Sequence, residues 1–303
     1  MGMAFIGLGK MGGNMARRLC RAGLQVVGYN RSPGIVHQLA QEEGMIPAFS
    51  PAEAVEKLSP PRVVWLMLPA GSITEQMIET LAPLLDPGDI LVDGGNAYYK
   101  DSLRRGTRLL DAGIDFVDAG VSGGIWGLKE GYCLMVGGEA RAVKVLEPYL
   151  KALAPAPDRG WAHVGPLGAG HFTKMVHNGI EYGMMQSLAE GLALLRGKEM
   201  FALDLAQIAE LWRHGSVVRS WLLDLTASAL REDAALKDIA PYVADSGEGR
   251  WTVMEAIEQG QALPDIALAL FMRFASQDQE GYAYRLLAKM RQAFGGHEVK
   301  GDG

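Results

Sequence analysis

The sequence predicts an α/β N-terminal domain built on a doubly wound, mainly parallel sheet, followed by an all-α C-terminal domain. Three observations carry this prediction. Short apolar runs alternate with segments of helical periodicity through the first half, the pattern of strands joined by crossover helices. The first apolar run flows directly into a glycine-rich turn, Gly7-Leu-Gly9-Lys-Met-Gly12. From Gly165 onward strand-like runs stop, and alanine- and leucine-rich helical segments take over.

The elements can be justified in order. Met3 to Leu8 reads as a strand, GxGxxG as a turn, Asn14 to Arg21 as a helix stopped by Gly23, and Leu24 to Tyr29 as a second strand. Strand, turn, helix and strand within about 30 residues is the setting that the dinucleotide fingerprint requires. The glycines allow the tight turn and the close approach of a pyrophosphate to the helix N-terminus. The first domain is therefore Rossmann-type. An NAD site usually places a carboxylate at the end of the second strand. Here the residues are Asn30-Arg31-Ser32. Nothing there repels a 2′-phosphate, and Arg31 can pair with one, which predicts NADP in preference to NAD. The other reading is that Arg31 is a surface residue and either cofactor is accepted.

Further strands are predicted at Arg62–Leu68, Asp89–Val92, Ile114–Val117 and Cys133–Val136, with helices at Ser72–Leu81, Ser102–Asp111 and Ala140–Leu150. Ligands on such sheets bind beyond the carboxyl ends of the strands. Three glycine-bearing loops fall there: Leu68-Pro69-Ala70-Gly71, Asp93-Gly-Gly-Asn96 and Ala119-Gly-Val-Ser122-Gly123-Gly124. The hydroxyl and exposed N–H groups of the last can hold a carboxylate; glycine there can also serve turn geometry alone. Prolines and glycines crowd residues 155–170, which read as a linker, so the domains divide as 1–164 and 165–303. Helical segments follow near 173–196, 203–213, 217–230, 251–259, 263–275 and 279–293. Glycines 179, 183 and 191 inside the first of these cost stability, which predicts close packing at those positions.

The composition bounds the function. The chain has 303 residues, 29 Lys and Arg against 35 Asp and Glu, and a net charge of −6. There is no basic excess to suit nucleic acid or an anionic membrane, and no apolar stretch of membrane-spanning length. Two cysteines, Cys20 and Cys133, and no signal-peptide pattern fit a reducing, cytoplasmic setting. The six histidines show no metal-ligand spacing, so no catalytic metal is expected. The residues that could do chemistry form a stripe. Lys174, His177, Asn178, Glu181 and Tyr182 fall at i, i+3, i+4, i+7 and i+8, on one face over about two helical turns. An acid/base apparatus and a solvated Lys/Glu face are the two readings of that stripe alone.

Gly7-Leu-Gly-Lys-Met-Gly12, Asp93-Gly-Gly-Asn96, Asp118-Ala-Gly-Val-Ser122-Gly-Gly124, Lys174-Met-Val-His-Asn-Gly-Ile-Glu181-Tyr182 and Gly249-Arg-Trp-Thr252 occur in this order. Together they closely resemble the decarboxylating 6-phosphogluconate dehydrogenases, within the wider β-hydroxyacid dehydrogenase group. The length resembles the short bacterial form. The resemblance implies oxidation of 6-phosphogluconate to ribulose 5-phosphate and CO2 with NADP or NAD. It implies Lys174 as general base and then acid, burial in an apolar cleft favouring its neutral form, and Glu181 as the acid that protonates C1. Ser122, Gly123 and Gly124 would hold the carboxylate, and Asn96, His177 and Asn178 the sugar hydroxyls. Gly7, Leu8, Gly9, Lys10, Met11, Gly12, Asn30, Arg31, Ser32, Leu68, Pro69, Ala70 and Asn96 would line the cofactor. Tyr182 and Arg273 fall at phosphate contacts. Arg291 and His297 match a tail that reaches the partner subunit's site, which implies a homodimer or homotetramer.

The phosphate end departs from the pattern. Ser246 and Glu248 stand where the long form has lysine and threonine, and Glu248 would repel a phosphate if it pointed inward. The runner-up is another β-hydroxyacid dehydrogenase with an unphosphorylated substrate such as 3-hydroxyisobutyrate; Glu181, Tyr182 and the Arg-x5-His tail argue against it. A non-catalytic NADP-binding sensor would have little reason to keep both Lys174 and Glu181.

Overall fold

A computed structural model describes residues 2–300. By its internal contacts the chain divides into two compact units, Met1–Asn178 and Gly179–Gly303, so the division falls inside the long helix that carries the polar stripe.

The first unit runs β1 (Gly2–Ile6), α1 (Lys10–Arg21), β2 (Gln25–Tyr29), α2 (Pro33–Glu43), β3 (Ile46–Ala48), α3 (Pro51–Glu56), β4 (Val63–Leu66), α4 (Ser72–Leu81), β5 (Ile90–Asp93), α5 (Tyr99–Leu110), β6 (Asp115–Ser122), α6 (Gly127–Glu130), β7 (Cys133–Gly137), α7 (Ala140–Leu153) and β8 (Trp161–Gly165). It ends on the first turns of α8 (Ala169–Gly197). The eight strands form one sheet, ordered β3-β2-β1-β4-β5-β6-β7-β8. Every pairing is parallel except β6 with β7. This is the predicted doubly wound architecture, with one antiparallel turn-back near its end. The region 155–170 is not a plain linker, because it contains β8 and the start of α8.

Alternation along the strands feeds two separate cores, as a sheet covered on both faces requires. Met3, Phe5, Val63 and Trp65 enter one core, while Ala4, Ile6, Val64 and Leu66 enter the other. The register aligns the strand ends. Ile6 pairs with Tyr29 and with Leu66, Leu66 with Asp93, and Asp93 with Asp118. The loops after β1, β2, β4 and β5 therefore leave one edge of the sheet side by side, where ligands of such folds bind.

The second unit continues α8 and adds α9 (Leu205–Trp212), α10 (Trp221–Glu232), α11 (Glu248–Gln259), α12 (Pro264–Gln277) and α13 (Tyr282–Gly295). It contains no strand among the described residues, in line with the all-α prediction. Leu192, Ala209, Leu223, Ala227 and Leu230 form one small core, and Tyr182, Ala269 and Leu270 another. The glycines of α8 differ from one another. A Cβ on Gly179 would come within 2.7 Å of the Thr252 side chain, whereas one on Gly191 would meet nothing within 4 Å. Close packing accounts for the first and not for the last.

Candidate active site

The glycine turn is a cradle with an open front. Gly7 has φ +95°, and a Cβ there would lie 2.3 Å from the Met67 carbonyl oxygen; one on Gly12 would lie 2.0 Å from the Gly7 oxygen. Only glycine fits either place. A Cβ on Gly9 would meet nothing within 4 Å. Behind that opening stands the N-terminus of α1, with no acidic residue in its first turn and no side-chain cap. Its unspent N–H groups and positive dipole end suit a pyrophosphate. Asn30 stiffens the turn: its Oδ1 accepts the Leu8 N–H at 3.0 Å and its Nδ2 donates to the Ser32 carbonyl at 3.2 Å. The side chain of Leu8 belongs to the core beneath, so Leu8 can offer a ligand only backbone, and the partly buried side chain of Met11 packs against the same core. Lys10, Arg31 and Ser32 are exposed, and no carboxylate stands at the end of β2.

The next two loops press together. A Cβ on Gly95 would lie 2.5 Å from the Leu68 oxygen, which sets Leu68-Pro69-Ala70 beside Gly94-Gly95-Asn96. A buried brace fixes both. Arg105 donates to Asp93 Oδ2 at 3.2 Å, to Glu75 Oε2 at 2.8 Å and to the Gly71 carbonyl at 3.1 Å. Asp93 Oδ1 accepts the Gly95 N–H at 3.1 Å. Burial pushes the Asp93 carboxyl up, opposed by His171 and Arg105. The Arg104 and Arg105 hydrogen bonds outweigh the effect of burial on Glu75, leaving its pKa at about 2.

Lys174 lies against β6. A Cβ on Gly120 would fall 2.3 Å from Lys174 Cβ, so the helix backbone and strand meet with nothing between them but the lysine stem. Two residues on, β6 ends at Ser122, followed by Gly123 (φ +135°) and Gly124 (φ +53°). Lys174 is 5% exposed. Its Nζ donates to Asn178 Oδ1 at 2.7 Å and lies 3.4 Å from His177 Nδ1. Asp118 seats the start of this helix, accepting the Gly168 and His171 N–H groups at 2.7 Å each, and His171 Nδ1 pairs with Ser102 Oγ at 2.7 Å. Cys133 pairs with Ser122 across β6 and β7; burial raises its thiol pKa, and Lys174 acts in the opposite direction. Glu181 is half-buried, two turns further along the same helix.

In the second unit, Tyr182 is 5% exposed and donates its hydroxyl to Asp245 Oδ1 at 3.1 Å. The Arg273 guanidinium lies 3.4 Å from the Tyr182 ring centroid and donates to the Ala244 carbonyl at 2.8 Å. Burial works to raise the Asp245 pKa, but donors from Arg250, Gly247 and Tyr182 prevail and hold it below the usual range. Glu248 is buried and accepts the Ser246 hydroxyl at 2.5 Å. Arg291 and His297 are exposed at the end of the unit. Among the described residues no group of three or more His, Cys, Asp or Glu could hold a metal ion, and no helix is long and apolar enough to cross a membrane.

Arg105, His171 and Asp245 have no role in the sequence reading, and Asp118 and Gly120 enter it only as members of the Asp118–Gly124 motif. A buried arginine leaves no periodic trace.

Fold, glycine cradle and buried lysine cluster define a two-part dinucleotide-binding protein of the dehydrogenase type. Residues 2–165 match the family model described as the NAD binding domain of 6-phosphogluconate dehydrogenase, and residues 170–300 match that of the 6-phosphogluconate dehydrogenase C-terminal domain. The chain belongs to the 6-phosphogluconate dehydrogenase family. It is 41% identical to the NAD(+)-dependent, decarboxylating 6-phosphogluconate dehydrogenase of Haloferax volcanii over 99% of this chain and 98% of that one. It is 37% identical to the NADP(+)-dependent, decarboxylating enzyme of Bacillus subtilis, over 91% of this chain but 61% of that one. The structure of Plasmodium falciparum 6-phosphogluconate dehydrogenase superposes with a TM-score of 0.83 at 28% identity, covering 100% of this chain and 66% of that one. The chain thus matches a relative of its own length and spans about two thirds of longer ones.

Proposed function

We propose that this protein oxidises 6-phosphogluconate at C3 and decarboxylates it to ribulose 5-phosphate and CO2. The observation that carries this reading is the Lys174 amine, buried beside the Ser122-Gly123-Gly124 loop and fixed by Asn178 Oδ1 at 2.7 Å. A nicotinamide cofactor in the glycine cradle supplies the hydride acceptor. Lys174 Nζ takes the proton of the 3-hydroxyl as C3 is oxidised. Loss of CO2 from C2 then leaves an enolate, which the protonated Lys174 stabilises by donating a hydrogen bond to its oxygen. Glu181 gives a proton to the former C2, which becomes C1 of ribulose 5-phosphate. Ser122 and the N–H groups of Gly123 and Gly124 hold the substrate carboxylate until it leaves; Asn96, His177 and Asn178 orient hydroxyls; Tyr182, Arg273, Arg291 and His297 receive the phosphate.

Several finer features belong to the same reading. NADP is preferred over NAD, because exposed Arg31 can pair with a 2′-phosphate and Asn30 replaces the usual carboxylate. The protein works as a homodimer or homotetramer in which Arg291 and His297 complete the partner's site. The two unpaired cysteines suit a reducing cytoplasm. The unphosphorylated-substrate alternative is not favoured, since both halves of the chain match the 6-phosphogluconate dehydrogenase models.

The test is nicotinamide reduction, followed by absorbance, with 6-phosphogluconate and either NADP or NAD. Reduction with NADP favoured is the expected result. For Lys174→Met, loss of the general base predicts a fall in kcat of about 10²- to 10⁴-fold, with cofactor affinity little changed. Surviving turnover in that variant would sink the assignment of the base.

A further inference from the structure

The second unit contains a set of anion-binding donors that already holds an anion. Asp245 Oδ1 accepts the Tyr182 hydroxyl at 3.1 Å and the Gly247 N–H at 3.2 Å, and Oδ2 accepts Arg250 Nε. A phenol, a backbone amide and a guanidinium converge on one carboxylate whose side chain is 3% exposed. A second guanidinium, that of Arg273, is stacked on the Tyr182 ring and bonded to the carbonyl of Ala244, the residue before Asp245. Such donors, two of them permanently charged, are what a phosphate monoester selects.

We infer that Asp245 is the resident anion of this cradle and sets the affinity for the phosphate end of the substrate, because phosphate gains the Tyr182 hydroxyl, the Gly247 N–H and Arg250 Nε only by displacing the Asp245 carboxylate. The inference rests on the substrate reading given above and assigns a determinant of its affinity. The geometry favours competition over mere bracing. Every donor that Asp245 engages is one that a phosphate oxygen could take. The second carboxylate nearby, Glu248, is turned aside onto Ser246, whose hydroxyl lies 3.4 Å from that of Tyr182. Of these two carboxylates, it is Asp245 that stands on both the phenol and the guanidinium. A phosphate dianion carries more charge and more acceptor oxygens than a carboxylate, so it can win the exchange, at a cost in affinity that the resident group imposes.

Asp245→Asn separates the two roles. The amide keeps an oxygen for Tyr182 and Gly247 but removes the charge that occupies Arg250. The expected result is a KM for 6-phosphogluconate lower by about tenfold, the scale of one lost charged competitor, with the KM for the nicotinamide cofactor unmoved. Inorganic phosphate, titrated calorimetrically into the full-length protein, should bind more tightly by a similar factor. A brace would behave in the opposite sense, since loosening Arg250 raises the KM and weakens phosphate. An unchanged or weaker phosphate affinity in Asp245→Asn overturns the inference; Asp245→Ser, read the same way, replaces it if the amide variant does not fold. The phosphate titration judges the cradle by itself, whereas wild-type turnover of 6-phosphogluconate judges the substrate reading.

Discussion

Gly120 shows how little of a reactive residue's placement lies in that residue. Lys174 was visible in the sequence through the i, i+3, i+4 spacing of its stripe. Its position beside the Ser122 loop depends on a strand residue with no side chain, because any Cβ at Gly120 would fall 2.3 Å from Lys174 Cβ and 2.9 Å from the Gly170 oxygen. The helix would have to move off the sheet. Gly120→Ala is therefore expected to cost about 1–3 kcal/mol in denaturant unfolding, the usual penalty for overpacking. It should also lower kcat more than the KM for cofactor, since the lysine moves and the glycine cradle at residues 7–12 does not. A variant with wild-type kcat would show that Lys174 has slack at this contact. The signal for Gly120 lay in the sequence as one glycine among 39, and nothing local distinguished it from turn glycines.

Loops and helices are held at the strand ends by buried charge, which is the part of the design that periodicity cannot show. The strand–helix alternation, the glycine turn and the Lys174 helix were legible because each follows a repeat of 2 or 3.6 residues or a fixed glycine spacing. β3 and β8 were not. β3 has three residues, one of them Pro47. β8, at the sheet edge, has a burial pattern with no alternation, its three central residues all being exposed. Arg105 was equally silent: it is 1% exposed and joins α4, α5 and the end of β5 through Glu75, Asp93 and Gly71. This brace has a pH signature. The Glu75 carboxyl is held at about 2, below its ordinary 4.5, so its contribution to stability is complete above the ordinary value. It is lost as pH falls through that window toward the folded value. Glu75→Gln lacks the contribution at every pH. The gap in melting temperature between wild type and Glu75→Gln should be widest near neutrality and shrink between pH 4.5 and about 2. A gap independent of pH would mean that shape, and not charge, is what Glu75 supplies.

For the whole molecule the decisive question is whether one chain holds a complete site. The helical unit leaves large apolar side chains in solvent, among them Met200, Phe201, Leu211, Ile257, Tyr282 and Tyr284. It also has a groove of about 790 Å³ lined by Ile180, Met184, Leu188, Trp212, Val217 and Ile266. Apolar surface on this scale suits an interface, and the crossing tail proposed above requires a second copy of the chain. Complementation gives a direct reading. On the roles proposed above, Lys174→Met removes the base from a chain's body, and Arg291→Ala removes a phosphate cation from its tail. In a mixed oligomer with crossing tails, one site combines both defects. The other joins the intact body of the Arg291→Ala chain to the intact tail of the Lys174→Met chain. Random assembly of equal amounts should then restore about a quarter of the sites to wild-type composition, because body and tail are drawn independently from the two pools. If each tail serves its own body, every site keeps one defect and mixing restores nothing. Activity of the co-expressed pair at low substrate, against each parent alone, distinguishes these cases. A lack of rescue in a pair shown to co-assemble would place Arg291 outside the partner's site.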